Sequence, residues 1–170
     1  MAIASLDELI DEDWEWRLCD LPEFATATGD HRYDDRLDDR SLAAYERRIQ
    51  FSKGILARVD AWERRYGSGG DAPGEKTPPQ DLLNARVSAR LLAHHSRSVC
   101  EGGLFRTYLC PINRLEGPHT ELPQLVEYMK FETASDYKKY VARLRAIPRA
   151  LSQVESVSYT HLTLPTICSV

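Results

Sequence analysis

The chain is short of paired cysteines, long apolar runs and positive charge, and each lack removes a class of function. Four cysteines occur in 170 residues. Cys19, Cys100 and Cys110 are far apart, no Cys-x-x-Cys occurs, and Cys168 falls in a terminal stretch treated below. Neither a disulfide framework nor a zinc knuckle fits that pattern, which is that of reduced thiols. A net charge of −4 offers no electrostatic footprint for nucleic acid. No apolar run approaches a membrane span, so none is expected. Residues 1–13 have no basic region and carry Asp7, Glu8, Asp11, Glu12 and Asp13, which is not a secretory signal. The cytoplasm is the default expectation. Strand-like alternation is also missing outside the last residues.

What is present is a composition of 42% hydrophobic and 28% charged residues, that of a globular chain. Residues 157–170 break from it, with no Asp, Glu, Lys or Arg at all. Residues 157–166 read V-S-Y-T-H-L-T-L-P-T. That is the in-frame translation of GTC TCT TAT ACA CAT CTG ACG CTG CCG ACG, the adapter of transposase-based sequencing libraries. A library scar stands outside fold reasoning. The expectation is therefore a non-native tail at 157–170. Residues 1–156 become the N-terminal helical segment of a longer, incomplete domain. The competing reading of the tail is a short Thr/Val-rich strand.

Apolar spacing predicts an all-α fold, an irregular array of about four to five helices. The first helix spans about 5–20, with Ser5 as N-cap and Leu6, Leu9, Ile10, Trp14 and Leu18 as its buried stripe. Pro22 restarts the chain into a short turn that ends at Gly29. Ser41 caps a second helix carrying Leu42, Tyr45, Ile49, Leu56, Val59, Trp62 and Tyr66, stopped by Gly67. Residues 67–79 (GSGGDAPGEKTPP) form a flexible linker. The third helix, about 79–100, carries Leu83, Val87, Leu91 and His94 on one side and ends at Gly102 and Gly103. Residues 104–120 are mostly irregular, with 104–109 a candidate extended piece, and Pro123 opens a short helix through Tyr128. The last helix starts with a capping box, Thr133 and Asp136. It turns Tyr137, Tyr140, Val141, Leu144, Ile147, Leu151 and Val154 inward and is kinked at Pro148.

Few motifs carry chemistry. Residues 69–77 nearly form a phosphate loop, but Glu75 intrudes before Lys76 and no strand precedes them. Residues 30–40 hold five Asp and three Arg without the ligand spacing or glycine of a calcium loop. That segment reads either as a solvated loop of compensating charges or, at Asp30, His31, Arg32 and Tyr33, as the edge of a substrate cleft. Asn113 and Arg114, in a polar loop before Gly117-Pro118, are further candidate cleft-lining residues. His94 and His95 are adjacent on a helix, point about 100° apart, and have no partner ligand four residues on. Ser41, Ser88 and Ser96 lack a nucleophile setting. No catalytic or metal residue is assigned.

Three segments together resemble a known family: W-E-W-R-L-C-D-L-P-E-F-A-T-A-T-G-D-H-R-Y-D-D-R-L at 14–37, P-I-N-R-L-E-G-P-H-T-E-L-P-Q-L at 111–125 and F-E-T-A-S-D-Y-K-K-Y-V-A-R-L-R-A-I-P at 131–148. Their order and spacing resemble the N-terminal part of the domain of unknown function 885 family. The resemblance implies a mostly helical, zinc-metallopeptidase-like hydrolase several times longer than this chain, acting on a peptide or small substrate. It also implies zinc held by a C-terminal H-E-x-x-P-G-H motif. No His here is followed by Glu, so no metal or catalytic residue transfers and the segment is expected to be inactive alone. A self-standing helical interaction module is the alternative.

Overall fold

The computed structural model of the chain describes residues 2–66, 80–115 and 117–162, with side chains from residue 5 to residue 158. The expected linker at 67–79, the near-miss phosphate loop within it and residues 163–170 lie outside the described residues. Among those described, the architecture is all-α, as the periodicity predicts. The helices are α1 (Ala2–Asp20), α2 (Pro22–Ala27), α3 (Leu42–Tyr66), α4 (Gln80–Leu104), α5 (Pro118–Tyr128) and α6 (Ala134–Leu162), with single 3₁₀ turns at His31–Tyr33 and Thr107–Leu109. None is long and apolar enough to cross a membrane.

The chain divides into two compact units. Unit 1 is Met1–Trp14 with Glu46–Phe105, and unit 2 is Glu15–Tyr45 with Arg106–Val170.

Unit 1 has an aliphatic core. Leu6 and Leu9 of α1, Ile55, Val59 and Trp62 of α3, and Ala85, Ala89, Leu92 and Ala93 of α4 form one buried cluster. Each fully buried aliphatic side chain contributes roughly 1.5–3 kcal/mol. The stripe expected on α4 is the wrong one. Val87 is 57% and Leu91 65% exposed, and His94 faces water. The alanine face is inward instead, because short side chains let α3 and α4 approach closely. Gly103 shows how closely: a Cβ there would collide with Ile49 of α3. Gly102 and Gly103 therefore lie inside α4 and do not end it. The chain turns at Arg106, which adopts the left-handed φ of 52°. Residues 107–109 are then a 3₁₀ turn, not an extended piece. On α1, Trp14 is 41% exposed and Asp13 takes the inward place.

In unit 2, local caps set the starts of α3 and α6. Ser41 Oγ accepts the Ala44 N–H at 3.3 Å at the start of α3. The capping box of α6 forms as expected. Asp136 Oδ2 accepts the Thr133 N–H at 2.8 Å, and Thr133 Oγ1 accepts the Asp136 N–H at 3.3 Å. Helix α5 starts at Pro118 rather than Pro123, because Gly117 supplies a φ of 133° that side chains disfavour. Glu121 Oε1 then reaches back to the Gly117 N–H at 3.2 Å. Pro148 sits within α6, where it leaves the Leu144 carbonyl without its intrahelical donor. Helix α6 continues through Leu162, past the junction expected near residue 156, with Val157 buried. A helix already nucleated needs only ordinary residues to propagate.

Candidate functional site

The polar groups of unit 2 converge on one side chain, Arg143 of α6, which is 2% exposed. Its Nε donates to the Arg36 carbonyl at 2.7 Å. Its Nη2 donates to Thr26 Oγ1 at 2.6 Å and to the Pro22 carbonyl at 3.0 Å, with the Tyr33 carbonyl at 3.4 Å. Nη1 stands 3.9 Å from Asp34 Oδ1 and has no hydrogen-bond partner. Burial pulls this arginine below its usual value, while Asp34 first, then Glu23, Asp38 and Asp35, favour its charge. An arginine stays protonated through such a shift.

Asp34, itself 3% exposed, is the counter-charge. The Thr26 hydroxyl donates to its Oδ1 at 2.6 Å, and His31 Nδ1 lies 2.9 Å from its Oδ2. A carboxylate only accepts, so the His31 ring carries hydrogen on Nδ1 there. The 3₁₀ turn that brings His31 and Asp34 together starts from Asp30, whose Oδ1 accepts the Arg32 N–H at 3.0 Å.

A second arginine stitches the far end of the same segment. Arg40 Nη2 is 2.8 Å from both Glu23 Oε2 of α2 and Glu121 Oε2 of α5. Burial opposes the charge at Arg40, but Glu23 and Glu121 outweigh it and raise the group above its usual value. Glu23 and Asp38 exchange reciprocal bonds: Asp38 Oδ1 accepts the Glu23 N–H at 2.9 Å, and Glu23 Oε1 accepts the Asp38 N–H at 3.1 Å. Gln153 of α6 closes the seam, taking the Arg40 N–H at 3.1 Å and donating to Asp39 Oδ1 at 2.9 Å. Lys139 donates to the His31 carbonyl at 2.7 Å. Lys139, Arg143 and Gln153 share one face of α6 with Ala146 and Ala150, so that face holds residues 30–40 along their length. The segment is therefore clamped, which a freely solvated loop of compensating charges would not be.

The residues singled out from the sequence have varied placements. Asp30 and Arg32 pair with each other at 2.6 Å, and Arg32 also reaches Glu15 at 2.9 Å. The Arg32 hydrogen bond holds the Asp30 carboxyl below the usual carboxylate value. His31 turns inward to Asp34. The Tyr33 ring lies under the Arg36 guanidinium, 4.6 Å from its centroid. Asn113 Oδ1 accepts the Leu115 N–H at 2.8 Å, and Arg114 is exposed.

A cleft of about 390 Å³ opens beside the clamp, between Cys19, Asp20 and Pro22, the run 35–39, and Ala146, Arg149, Ala150 and Gln153. None of the six sequence candidates is among its lining residues. Thr26, Asp34, Arg143, Glu23, Arg40, Glu121 and Gln153 were not singled out from the sequence. The available signal was the polar repeat Lys139–Arg143–Gln153 along α6, which a reading of its apolar stripe hides. Ser41 serves as a helix cap. Among the described residues, no group of three or more His, Cys, Asp or Glu could hold a metal ion.

A family model described as "Bacterial protein of unknown function (DUF885)" matches residues 22–162. No curated protein and no solved structure matches the chain.

Proposed function

Because the chain belongs to the DUF885 family of bacterial proteins of unknown function, we propose that it is the N-terminal helical segment of a longer zinc-metallopeptidase-like hydrolase. In this reading it forms a wall of the substrate cleft, supplies no metal ligand and is inactive alone. The observation that carries it is the clamp itself. Asp30, Asp34, Asp38 and Asp39 already serve a cation, a hydroxyl or backbone N–H groups, which makes residues 30–40 a rigid wall rather than a set of free reacting groups. Rigid supporting elements of this kind position substrates for chemistry done elsewhere.

The residues present do not fit a hydrolytic zinc. Such a site needs three protein ligands, a water and a general base, and the sequence has no His-Glu pair to begin one. Zinc therefore belongs, in this reading, to a part of the parent protein outside the sequence. The same reading takes residues 157–170 as adapter-encoded.

The tests are direct. The purified chain, dialysed against zinc and then buffer, should keep no stoichiometric metal and should not cleave peptides. About one zinc per chain, lost on His94→Ala, His95→Ala or His119→Ala, would overturn the reading. Source DNA from a library made without transposase should diverge from the sequence near Ser156 and continue to an H-E-x-x-P-G-H motif.

A second reading, a self-standing helical interaction module, is favoured by one observation: the outward apolar face of α4 at Val87 and Leu91. It expects the extended reading frame to stop soon after Glu155.

A further inference from the structure

Helix α6 has a second face that the clamp does not use. Tyr137, Val141, Leu144 and Leu151 recur three, four or seven residues apart, and each is between 41% and 56% exposed. On one side of this stripe, Tyr140, Leu144 and Ile147 meet Leu122 and Val126 of α5 around a small hollow of about 20 Å³, with Arg143 and Leu37 of the clamp also in its lining. On the other side stands a basic ridge, the exposed side chains of Lys138, Arg145 and Arg149. From Tyr137 to Val154 the helix carries five cations and neither Asp nor Glu. Lys139 and Arg143 point into the clamp, so Lys138, Arg145 and Arg149 set the charge along the ridge side of the stripe.

An apolar seam at this spacing is the surface that a second helix covers. The flanking charges choose which helix. A second copy of α6 would set the same cations against each other. A helix with carboxylates beside its seam would pair with them. A helix lying in a membrane interface presents a broad apolar face, whereas the exposed stripe here is a single row, Tyr137, Val141, Leu144 and Leu151, with the basic ridge close on one side.

We propose that the α6 stripe and its basic ridge dock an amphipathic helix whose apolar seam is flanked by Glu or Asp. The stripe from Tyr137 to Leu151 rises about 21 Å along the helix, so the partner needs roughly four turns. The proposal stands on the α6 surface and is independent of the hydrolase reading.

The test uses the full chain and two designed peptides of roughly three heptads, with Leu along the seam and either Glu or Lys at the flanks. Fluorescence anisotropy should show binding of the Glu peptide, weakened by salt, and binding of the Lys peptide at least ~10-fold weaker. Leu144→Glu should weaken the Glu peptide at least ~10-fold with the circular dichroism unchanged, since Leu144 is not a core residue. Lys138→Glu with Arg145→Glu should reverse the preference between the peptides. Equal affinity for both peptides, or none for either, overturns the proposal. So does Leu144-dependent binding to phosphatidylglycerol vesicles without peptide binding, which would make the face a lipid surface. Self-association abolished by Leu144→Glu, again without peptide binding, would make the occupant a second copy and overturn it equally.

Discussion

Unit 1 and unit 2 both bury apolar side chains, but unit 2 adds a buried arginine to them. Unit 1 closes on aliphatic side chains, with Ile55 and Val59 of α3 buried against the alanine face of α4. Unit 2 also buries apolar side chains, Leu18, Leu125, Met129 and Val154 among them, and adds a guanidinium, with Arg143 and Asp34 buried among carbonyls and a threonine. Apolar burial is non-directional and roughly proportional to area, so a core of that kind asks for volume rather than for particular partner atoms. A buried ion has to be satisfied by particular atoms at particular distances, and otherwise its desolvation dominates. The comparison teaches that one chain can fix a helix pair by volume and a loop by valence.

The comparison breaks most sharply at Arg143. Arg143→Leu leaves Asp34 buried without its cation and removes the Nε donor of the Arg36 carbonyl, while the Pro22 carbonyl keeps the Thr26 hydroxyl. The expected loss is about 3–5 kcal/mol, read from the urea midpoint. Arg143→Lys should recover little of it, because one ammonium cannot span the same fork of acceptors. A loss below ~1 kcal/mol for Arg143→Leu would show that the clamp does not hold unit 2.

The matching change in unit 1 is Ile55→Ala, expected to cost about 2–5 kcal/mol through lost burial and the cavity left behind. Removing a methyl-rich side chain alters no charge, so this loss should be the same in low and high salt. A strong salt dependence would count against a purely apolar core.

Two glycines sharpen the account of unit 1. Gly103→Ala forces a methyl group into Ile49, and overpacking of that kind costs about 1–3 kcal/mol. Gly54, also helical, has nothing within 4 Å of an added Cβ, so Gly54→Ala should stabilise by about 1 kcal/mol. Thermal melts that move in the same direction for both would refute the close approach of α3 and α4.

The smallest effect lies at the start of α6. Hydrogen bonds from Thr133 hold the Asp136 carboxyl below its usual value of 3.8. Its folded value is depressed, so the stability it contributes is present above pH 3.8 and disappears as pH falls through the lower folded value. Asp136→Asn should flatten that part of the acid titration of helicity, while Asp30, held down by Arg32, keeps its own. An unchanged acid profile would show that the cap contributes nothing.

Much of the secondary structure was legible in the residues because its signals are local. Pro22 begins α2, Ser41 caps α3, and Thr133 with Asp136 opens α6, each acting within four residues of itself. The site was far less legible. The segment 30–40 looked like compensating surface charge because nothing nearby in sequence says that an arginine more than a hundred residues later will be buried against it. The stripes on α4 and α6 misled for a related reason. Leucine and valine at helical spacing were expected inward, yet Val87, Leu91, Val141 and Leu144 face outward.

By itself the sequence determined that the chain is helical, where most of its helices begin, and the family to which it belongs. Hydrogen bonds within a helix and its caps are short-range, and composition settles them. Only the tertiary structure decided which face of each helix is covered and which charges are buried. Ala85, Ala89 and Gly103 win the inward side of α4 by allowing α3 to come close, and Arg143 wins its place on α6 by meeting several acceptors at once. Both outcomes depend on the fit between elements far apart along the chain, a quantity that no single helix contains.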